Sequence, residues 1–253
     1  MDAADRYKDE QRFTDTSAEK ILAKLPDDWH ATDIETFEQL CGKREYLNSV
    51  PEFIGPLSGK KVLELGCGDG WISLRFASSG AKVWAIDLSP KMIELAQRYA
   101  RGANLDINFE PMIVEQLSYD DNFFDIVFMH MALHHCDIPA TAEQIRRVLK
   151  PGGKAVIIED YAYHPVMRVY RRLTPSKHTH DEHPLNSDEV ARFVSFFSEH
   201  TLAFSGLINI FETENGRLVT MSRPTLRRID AFLYAHCESL KKYSRMVIIK
   251  AIK

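Results

Sequence analysis

Three glycines alternate with other residues in the run Gly66-Cys-Gly-Asp-Gly70, and carboxylates stand on either side of this run at Glu64 and Asp87. Glycine tolerates positive φ and lets the backbone approach a ligand closely. A carboxylate about twenty residues after such a turn can accept hydrogen bonds from both hydroxyls of a ribose. The combination indicates a binding site for a cofactor that contains adenosine.

The spacing of the turn distinguishes two kinds of adenosine cofactor. A dinucleotide site uses Gly-x-Gly-x-x-Gly in front of a helix that faces a pyrophosphate. Here the third glycine, Gly70, comes one residue early, and the bulky Trp71 follows it. Glu64 would repel a pyrophosphate, whereas it suits a cofactor that carries an ammonium and a sulfonium. The turn therefore favours a cationic cofactor over a dinucleotide.

A second group of residues could supply a base. His130, His134 and His135 follow one apolar run, and Asp160 and Tyr161 follow a later one. Histidine is the usual proton acceptor near neutral pH. We predict His130 and His134 as catalytic residues and Tyr161 as a substrate-side residue. His135 is predicted to cap or pack.

A polar loop carries His178, His180 and His183 together with two carboxylates. Such a group could ligate a metal that activates an acceptor. Its spacing matches no ligand signature, so we predict no metal and place His180 and His183 on the substrate side. Arg171, in a basic stretch before this loop, could hold an anionic acceptor or lie on a solvated helix face.

The elements that must hold these residues alternate between short apolar strands and helices from Lys60 onward. The strands are apolar throughout, which is typical of a parallel sheet covered by helices on both faces. The predicted strands are 61–65, 82–86, 107–110, 124–129, 154–158, 201–211 and 245–252. The predicted helices are 17–25, 33–48, 71–79, 90–99, 140–149, 164–173, 226–240 and one that a capping box of Asn186 and Glu189 opens and that ends near 197.

Several segments resemble motifs of the class I S-adenosylmethionine-dependent methyltransferases, including small-molecule members such as the quinone-biosynthesis methyltransferases. These segments are Val62–Gly70, Val83–Ser89, Tyr119–Val127, Met131–His135 and Leu149–Gly153. The likeness covers about residues 60 to 160. It implies a Rossmann-like, seven-stranded, mostly parallel sheet with the last strand antiparallel. It also implies S-adenosyl-L-methionine as methyl donor and S-adenosyl-L-homocysteine as product.

The resemblance further implies roles for individual residues. Glu64 would order the glycine turn, Asp87 would hold the ribose, and Leu88 and Met92 would wall the adenine. The full set of implied cofactor-binding residues is Glu64, Gly66, Cys67, Gly68, Gly70, Asp87, Leu88, Met92, Val114, Glu115 and Met129. Ile113 departs from the pattern, because small-molecule members often have an aspartate there that meets the adenine amine. Adenine would then rely on backbone groups and apolar packing.

We expect two parts in the chain. Residues 1–58 are predicted to form a helical N-terminal cap segment and residues 59–253 a methyltransferase domain, with 161–200 and 212–244 as substrate-side insertions. The predicted function is O-methylation of a small molecule with a histidine base. C-methylation of an activated ring or an α-keto acid, with or without a metal, is the alternative within the class. A cofactor-binding protein without catalysis is the alternative outside it.

Composition narrows the partners and the compartment. The chain has 253 residues, of which 45% are hydrophobic and 27% charged, as in ordinary globular proteins. Its net charge of -4 argues against nucleic-acid binding. Four scattered cysteines fit a reducing compartment. The sequence shows no secretory signal. It also has no apolar run near the roughly 20 residues of a membrane span. We therefore expect a cytoplasmic protein, and the sequence does not predict its oligomeric state.

Overall fold

A computed structural model describes residues 3–26, 28–174, 183–208 and 223–253. Within these ranges seven strands form one sheet, in the order β3-β2-β1-β4-β5-β7-β6. The strands are β1 Lys61–Leu65, β2 Lys82–Asp87, β3 Ile107–Pro111, β4 Phe124–His130, β5 Leu149–Asp160, β6 Glu199–Ser205 and β7 Met246–Ile252. β7 runs antiparallel to both β5 and β6, and the other paired strands are parallel. The predicted Rossmann-like sheet with an antiparallel last strand is confirmed.

The central strands are buried from both sides, which explains their continuous apolar runs. Leu63 and Leu65 of β1 pack into one hydrophobic layer with Val127 of β4. The alternate residues Val62 and Ile126 face a second layer on the opposite side of the sheet. Each strand contributes to both layers because its side chains alternate between the two faces. Helices cover both layers.

The helices are α1 Ala3–Leu22, α2 Phe37–Lys43, α3 Val50–Ile54, α4 Trp71–Ser78, α5 Pro90–Gly102, α6 Ile138–Val148, α7 Pro165–Leu173, α8 Ser187–Val194 and α9 Arg223–His236. Short 3-10 turns occupy Glu45–Leu47, Val114–Gln116, Leu133–His135 and Glu238–Tyr243. The predicted start signals are present. The Ser89 hydroxyl accepts a hydrogen bond from the Met92 amide, and Asn186 and Glu189 form a capping box.

The N-terminal elements differ from the predicted bounds. The first helix begins at Ala3, and the second predicted helix is divided into α2, a 3-10 turn and α3. α2 starts at a capping box between Thr36 and Gln39 and ends where Arg44 takes an extended backbone conformation. These local signals override the apolar spacing that suggested one continuous helix.

Two C-terminal strands and β5 also differ in length from the prediction. β6 ends at Ser205, where Gly206 turns the chain at φ +77°, and positions 209–211 of the predicted strand lie outside the described residues. β5 begins at Leu149 rather than residue 154, because Leu149 already pairs with Phe124 before a shift in register. Each parallel strand ends at the same edge of the sheet, where the candidate site lies.

Candidate functional site

The glycine turn between β1 and α4 uses each glycine differently. All three have positive φ: 67° at Gly66, 53° at Gly68 and 78° at Gly70. A Cβ at Gly66 would lie 2.5 Å from the Cβ of Ala132, and one at Gly70 would lie 3.1 Å from Ala96 and Phe109. A Cβ at Gly68 would meet no atom within 4 Å. Packing requires the first and third glycines, whereas the second leaves its backbone edge open.

Glu64 lies beneath this turn and does not reach the open edge. Its buried carboxyl accepts a hydrogen bond from the Ser73 hydroxyl in α4. Burial raises the pKa of Glu64 to about 8. This link between β1 and α4 can order the turn, as the resemblance implied.

Asp87 connects the turn to the start of α5. One carboxylate oxygen accepts a hydrogen bond from the Gly68 amide at 2.8 Å, and the other accepts one from the Ser89 amide at 2.9 Å. Burial raises the pKa of this carboxyl. The side chain that was predicted to hold a ribose therefore stands directly beside the open glycine.

A cavity of about 230 Å³, here named the glycine-turn cavity, opens at this point. Six of its lining residues were predicted from the sequence: Gly66, Gly68, Asp87, Leu88, Val114 and Glu115. The remaining lining residues are Tyr7, Glu10, Thr14, Met112, Ile113, Met131, Ala132, His135 and Cys136. Ile113 stands at the position where the resembling proteins often have an aspartate, and Met112 adds a second apolar side chain to the lining. The cavity thus combines backbone, the carboxylates of Asp87, Glu10 and Glu115, and apolar walls.

Besides Glu64, four predicted cofactor residues do not line the glycine-turn cavity. Cys67 and Met129 are buried, Met129 in the core under β4. Gly70 packs against α5 and β3. Met92 lies in the first turn of α5, where its amide bonds to Ser89. Their contact with a cofactor stays a prediction.

Helix α1 forms one wall of the cavity through Tyr7, Glu10 and Thr14. Two contacts hold it there. Asp15 accepts a hydrogen bond from the Ser89 hydroxyl at the start of α5, and Glu10 lies 3.3 Å from Nδ1 of His135. No sequence motif marks these residues, because α1 is polar over most of its surface, although the position of the N-terminal segment with Tyr7 fits one that closes over a cofactor.

The loop after β4 is organised by a buried carboxylate, Glu159. One oxygen of Glu159 accepts hydrogen bonds from the amides of Ala132 and Leu133 at 2.8 and 2.6 Å. The other accepts a hydrogen bond from Nδ1 of His134 at 2.6 Å. The His134 ring contacts that of His135. His134 does not line the glycine-turn cavity or the second cavity described in the next paragraph. A catalytic role for His134 stays a prediction.

His130 lies at a second cavity of about 160 Å³, here named the His130 cavity. The lining residues are Arg44, Tyr46, His130, Met131, Ser205, Gly206, Arg245 and Met246. The imidazole stacks on Tyr46 with ring centres 5.6 Å apart, and Trp71 meets its edge. Its Nε2 is buried and has no hydrogen-bond partner among the described residues. Burial lowers the pKa of His130 to about 4. The negative charge of Glu159 opposes this shift, and the weaker effects of the positive charges of Arg245 and Arg44 add to it.

The other substrate-side residues lie near the end of β5 or beyond it. Tyr161 is buried and packs against Tyr163 and Phe204. Arg171 donates to the Asp160 carboxylate at 3.2 Å. Their contact with a substrate stays a prediction.

The predicted histidine loop is described only in part. His183 donates a hydrogen bond to Glu189 at 2.8 Å and is mostly exposed. His178 and His180 lie outside the described residues. The prediction that this loop binds no metal therefore stays a prediction. Among the helices that the structure describes, none has the length and apolar character needed to cross a bilayer.

Comparison with known proteins gives one family and a set of relatives. Residues 62–153 match a family model described as a methyltransferase domain. The ubiquinone biosynthesis O-methyltransferase of Coxiella burnetii is 37% identical over 101 residues, which are 39% of this chain and 42% of that protein. Phosphoethanolamine N-methyltransferase 3 of Arabidopsis thaliana is 37% identical over 124 residues, which are 47% of this chain and 25% of that protein. The match therefore spans less than half the length of these curated relatives.

A solved structure supports the same fold. Phosphoethanolamine N-methyltransferase 2 of Haemonchus contortus, crystallised with S-adenosyl-L-methionine, aligns with 83% of this chain and 52% of its own at a TM-score of 0.59 and 18% identity. The matched segment runs from β1 through the glycine turn and Asp87 to the Gly152-Gly153 turn. Residues 62–153 of this chain therefore match a methyltransferase domain, and the sheet has the fold of solved S-adenosylmethionine-dependent methyltransferases.

Proposed function

We propose that this protein transfers a methyl group from S-adenosyl-L-methionine to a hydroxyl of a small molecule. The observation that carries the proposal is the glycine-turn cavity, in which the open edge of Gly68 lies beside the carboxylate of Asp87. Curated relatives named for O-methylation and for N-methylation both match the domain. We favour O-methylation because histidines follow β4, on the side where the acceptor is expected.

The residues of the cavity fit this cofactor. Asp87 offers carboxylate oxygens to a ribose. Leu88, Met112 and Ile113 offer apolar contacts to an adenine, and the unblocked backbone of Gly68 leaves room for the methionyl part. When bound, the cofactor supplies a methyl group on a positively charged sulfur, and the sulfur keeps the bonding electron pair as the new methyl–oxygen bond forms.

The chain itself has to align the acceptor, exclude water and receive the proton that the hydroxyl loses. His130 is the residue we propose for the proton. Its low pKa keeps the imidazole neutral at pH 7, so a ring nitrogen can accept a hydrogen bond from the acceptor. His134 donates to Glu159 through Nδ1 but lines neither of the two cavities described above, which makes it the less suitable of the two predicted bases.

Calorimetric titration with S-adenosyl-L-homocysteine, and separately with NAD, tests the cofactor assignment. We expect binding of the first alone, weakened by about ten-fold or more in Asp87→Ala, since charge-assisted hydrogen bonds contribute about 1.5–3 kcal/mol. Asp106→Ala, at an exposed site before β3, is the matched control. Binding of NAD alone, or an unchanged affinity in Asp87→Ala, would overturn the assignment.

An acceptor screen tests the reaction. Release of S-adenosyl-L-homocysteine with phenolic, carboxylic, amino and keto acceptors would separate O-, N- and C-methylation. His130→Ala is expected to reduce kcat by about 100-fold. A change in KM alone would make His130 a positioning residue instead. Cofactor binding without turnover of any acceptor class would favour the non-catalytic alternative.

A further inference from the structure

Given the methyltransferase function proposed above, we propose that the His130 cavity binds the methyl acceptor. We propose further that this acceptor is a compact molecule with a carboxylate or phosphate group held by Arg44 and Arg245. Neither arginine stands in a sequence motif, and they come from segments about 200 residues apart in the chain. The sheet brings them to one cavity.

The first support is the position of the cavity. Met131 lines both the glycine-turn cavity and the His130 cavity, so the two share a wall. Its backbone has φ +55°, which is uncommon for a residue other than glycine, and its amide donates to the Ile158 carbonyl at 2.8 Å. Strained backbone of this kind clusters at functional sites. Methyl transfer needs donor and acceptor in adjacent pockets.

The second support is charge. Guanidinium groups bind carboxylates and phosphates through two parallel hydrogen bonds. Among the described residues, the ion pairs of Arg245 and Arg171 converge on one carboxylate, Asp160, at 3.7 and 3.2 Å. Arg44 lines the same cavity as Arg245, so two guanidinium groups belong to one small site. The hydroxyl of Ser205 adds a further possible donor.

The third support is the buried Nε2 of His130, which has no partner among the described residues. Buried polar atoms are almost always hydrogen-bonded in proteins, so an unpartnered nitrogen on a residue that lines this cavity supports a ligand there. The charged and titratable groups around the ring are Tyr46 and Arg44 before α3, Glu159 in β5 and Arg245 before β7. An anion between the two arginines would offset their charge and raise the pKa of His130.

This arrangement links acceptor binding to proton transfer. Without an anion, burial keeps His130 a weak base, and the two arginines add to this effect against the opposing charge of Glu159. With the anion in place, the imidazole becomes the better proton acceptor at the moment when it is needed. The His130 cavity, at about 160 Å³, is smaller than the glycine-turn cavity, at about 230 Å³, so we expect the acceptor to be smaller than the cofactor.

The test uses inorganic phosphate and acetate as probes on the full chain saturated with S-adenosyl-L-homocysteine. NMR of ¹⁵N-histidine-labelled protein follows the His130 ring during titration. We expect one saturable site, and a rise in the pKa of His130 when the probe is bound. Arg44→Gln and Arg245→Gln are each expected to weaken probe binding by about ten-fold or more. Arg192→Gln removes the same charge from the exposed face of α8 and should leave binding unchanged.

The outcomes separate the two proposals. If S-adenosyl-L-homocysteine itself does not bind, the methyltransferase function fails. If it binds while both probes leave the His130 signals unchanged, or bind equally to all three arginine variants, the acceptor site fails and the function stands. The wild-type NMR titration decides the question even if Arg245→Gln does not fold.

Matched acceptors then test the substrate class by turnover. Small hydroxy-carboxylates and hydroxy-phosphates are compared with their neutral methyl esters or alcohols. The anionic member of each pair should have the higher kcat/KM, and Arg44→Gln should narrow the difference. Preference for the neutral members would overturn the assignment of an anionic acceptor. A dependence on carboxylate but not phosphate, or the reverse, identifies which anion the arginines hold.

Discussion

Replacing each of two neighbouring glycines by alanine separates backbone strain from steric contact in the glycine turn. Gly66 and Gly68 both have positive φ, at 67° and 53°. An alanine in this region costs about 1–2 kcal/mol, partly offset by about 0.4–1 kcal/mol from the smaller entropy of the unfolded chain. Strain alone therefore predicts nearly equal losses, of about 1 kcal/mol, in the two variants.

The steric environment of the two positions is different. The Cβ of Gly66→Ala would lie 2.5 Å from Ala132, against about 3.5–4.0 Å for a comfortable carbon contact. The Cβ of Gly68→Ala meets nothing within 4 Å. Overpacking of this kind costs about 1–3 kcal/mol. We expect Gly66→Ala to lose about 2–4 kcal/mol in the free energy of unfolding and Gly68→Ala about 1 kcal/mol.

Urea unfolding measures both losses, and Gly42→Ala provides the reference. Gly42 lies within α2 with open space around it, so alanine should stabilise the fold by about 0.5–1 kcal/mol. Gly68→Ala should still weaken S-adenosyl-L-homocysteine binding, because its methyl group points into space that a cofactor would fill. Equal losses for Gly66→Ala and Gly68→Ala would refute the contact with Ala132 as the reason for the first glycine.

Three further predictions concern buried carboxylates and the wall of the glycine-turn cavity. Burial raises the pKa of Glu64 from 4.5 to about 8, so the folded protein holds a proton that the unfolded chain has lost between these values, and stability falls as pH rises through that interval. Glu64→Gln should flatten this slope in urea titrations between about pH 5 and pH 8. Glu159→Ala leaves His134 and two amides without their acceptor and should cost about 3 kcal/mol or more, while Glu159→Gln retains one oxygen and should lose less than half as much in the same assay. Asp15→Ala breaks the bond between α1 and Ser89 and should speed S-adenosyl-L-homocysteine release in stopped-flow experiments, whereas the exposed Asp9→Ala should not.

Local patterns were sufficient for the sheet and for six of the fifteen residues that line the glycine-turn cavity. The bounds of β1 were predicted without error, because an apolar strand and its glycine turn are adjacent in the chain. Asp87 and Gly68 were predicted for the same reason, since strand and turn fix their relation over about twenty residues. The predicted helix of residues 33–48 failed because a cap at Thr36 and an extended Arg44 act at single positions.

Contacts between distant segments could not be predicted from one sequence. Arg44 and Arg245 share a cavity only because β7 inserts beside β5 and the segment before α3 approaches it. Glu159 directly follows the predicted strand 154–158 and was given no role there, yet it fixes the loop that carries His134. The packing of α1 on α5 brings Tyr7, Glu10 and Thr14 to the glycine-turn cavity. The polar sequence of α1 does not predict which helix it packs on.

The order of the last two strands has a consequence for folding during synthesis. β6 precedes β7 in the chain, but β7 lies between β5 and β6 in the sheet. β6 therefore has no strand to pair with until about forty further residues have been made, which takes about 2–8 s at ribosomal rates of roughly 5–20 residues per second. An unpaired apolar strand would attract other chains during this interval. β6 instead begins with the polar residues Glu-His-Thr, and its first four residues, Glu199 to Leu202, are exposed in the folded protein. This polar start favours solvation of β6 until β7 is available to pair with it.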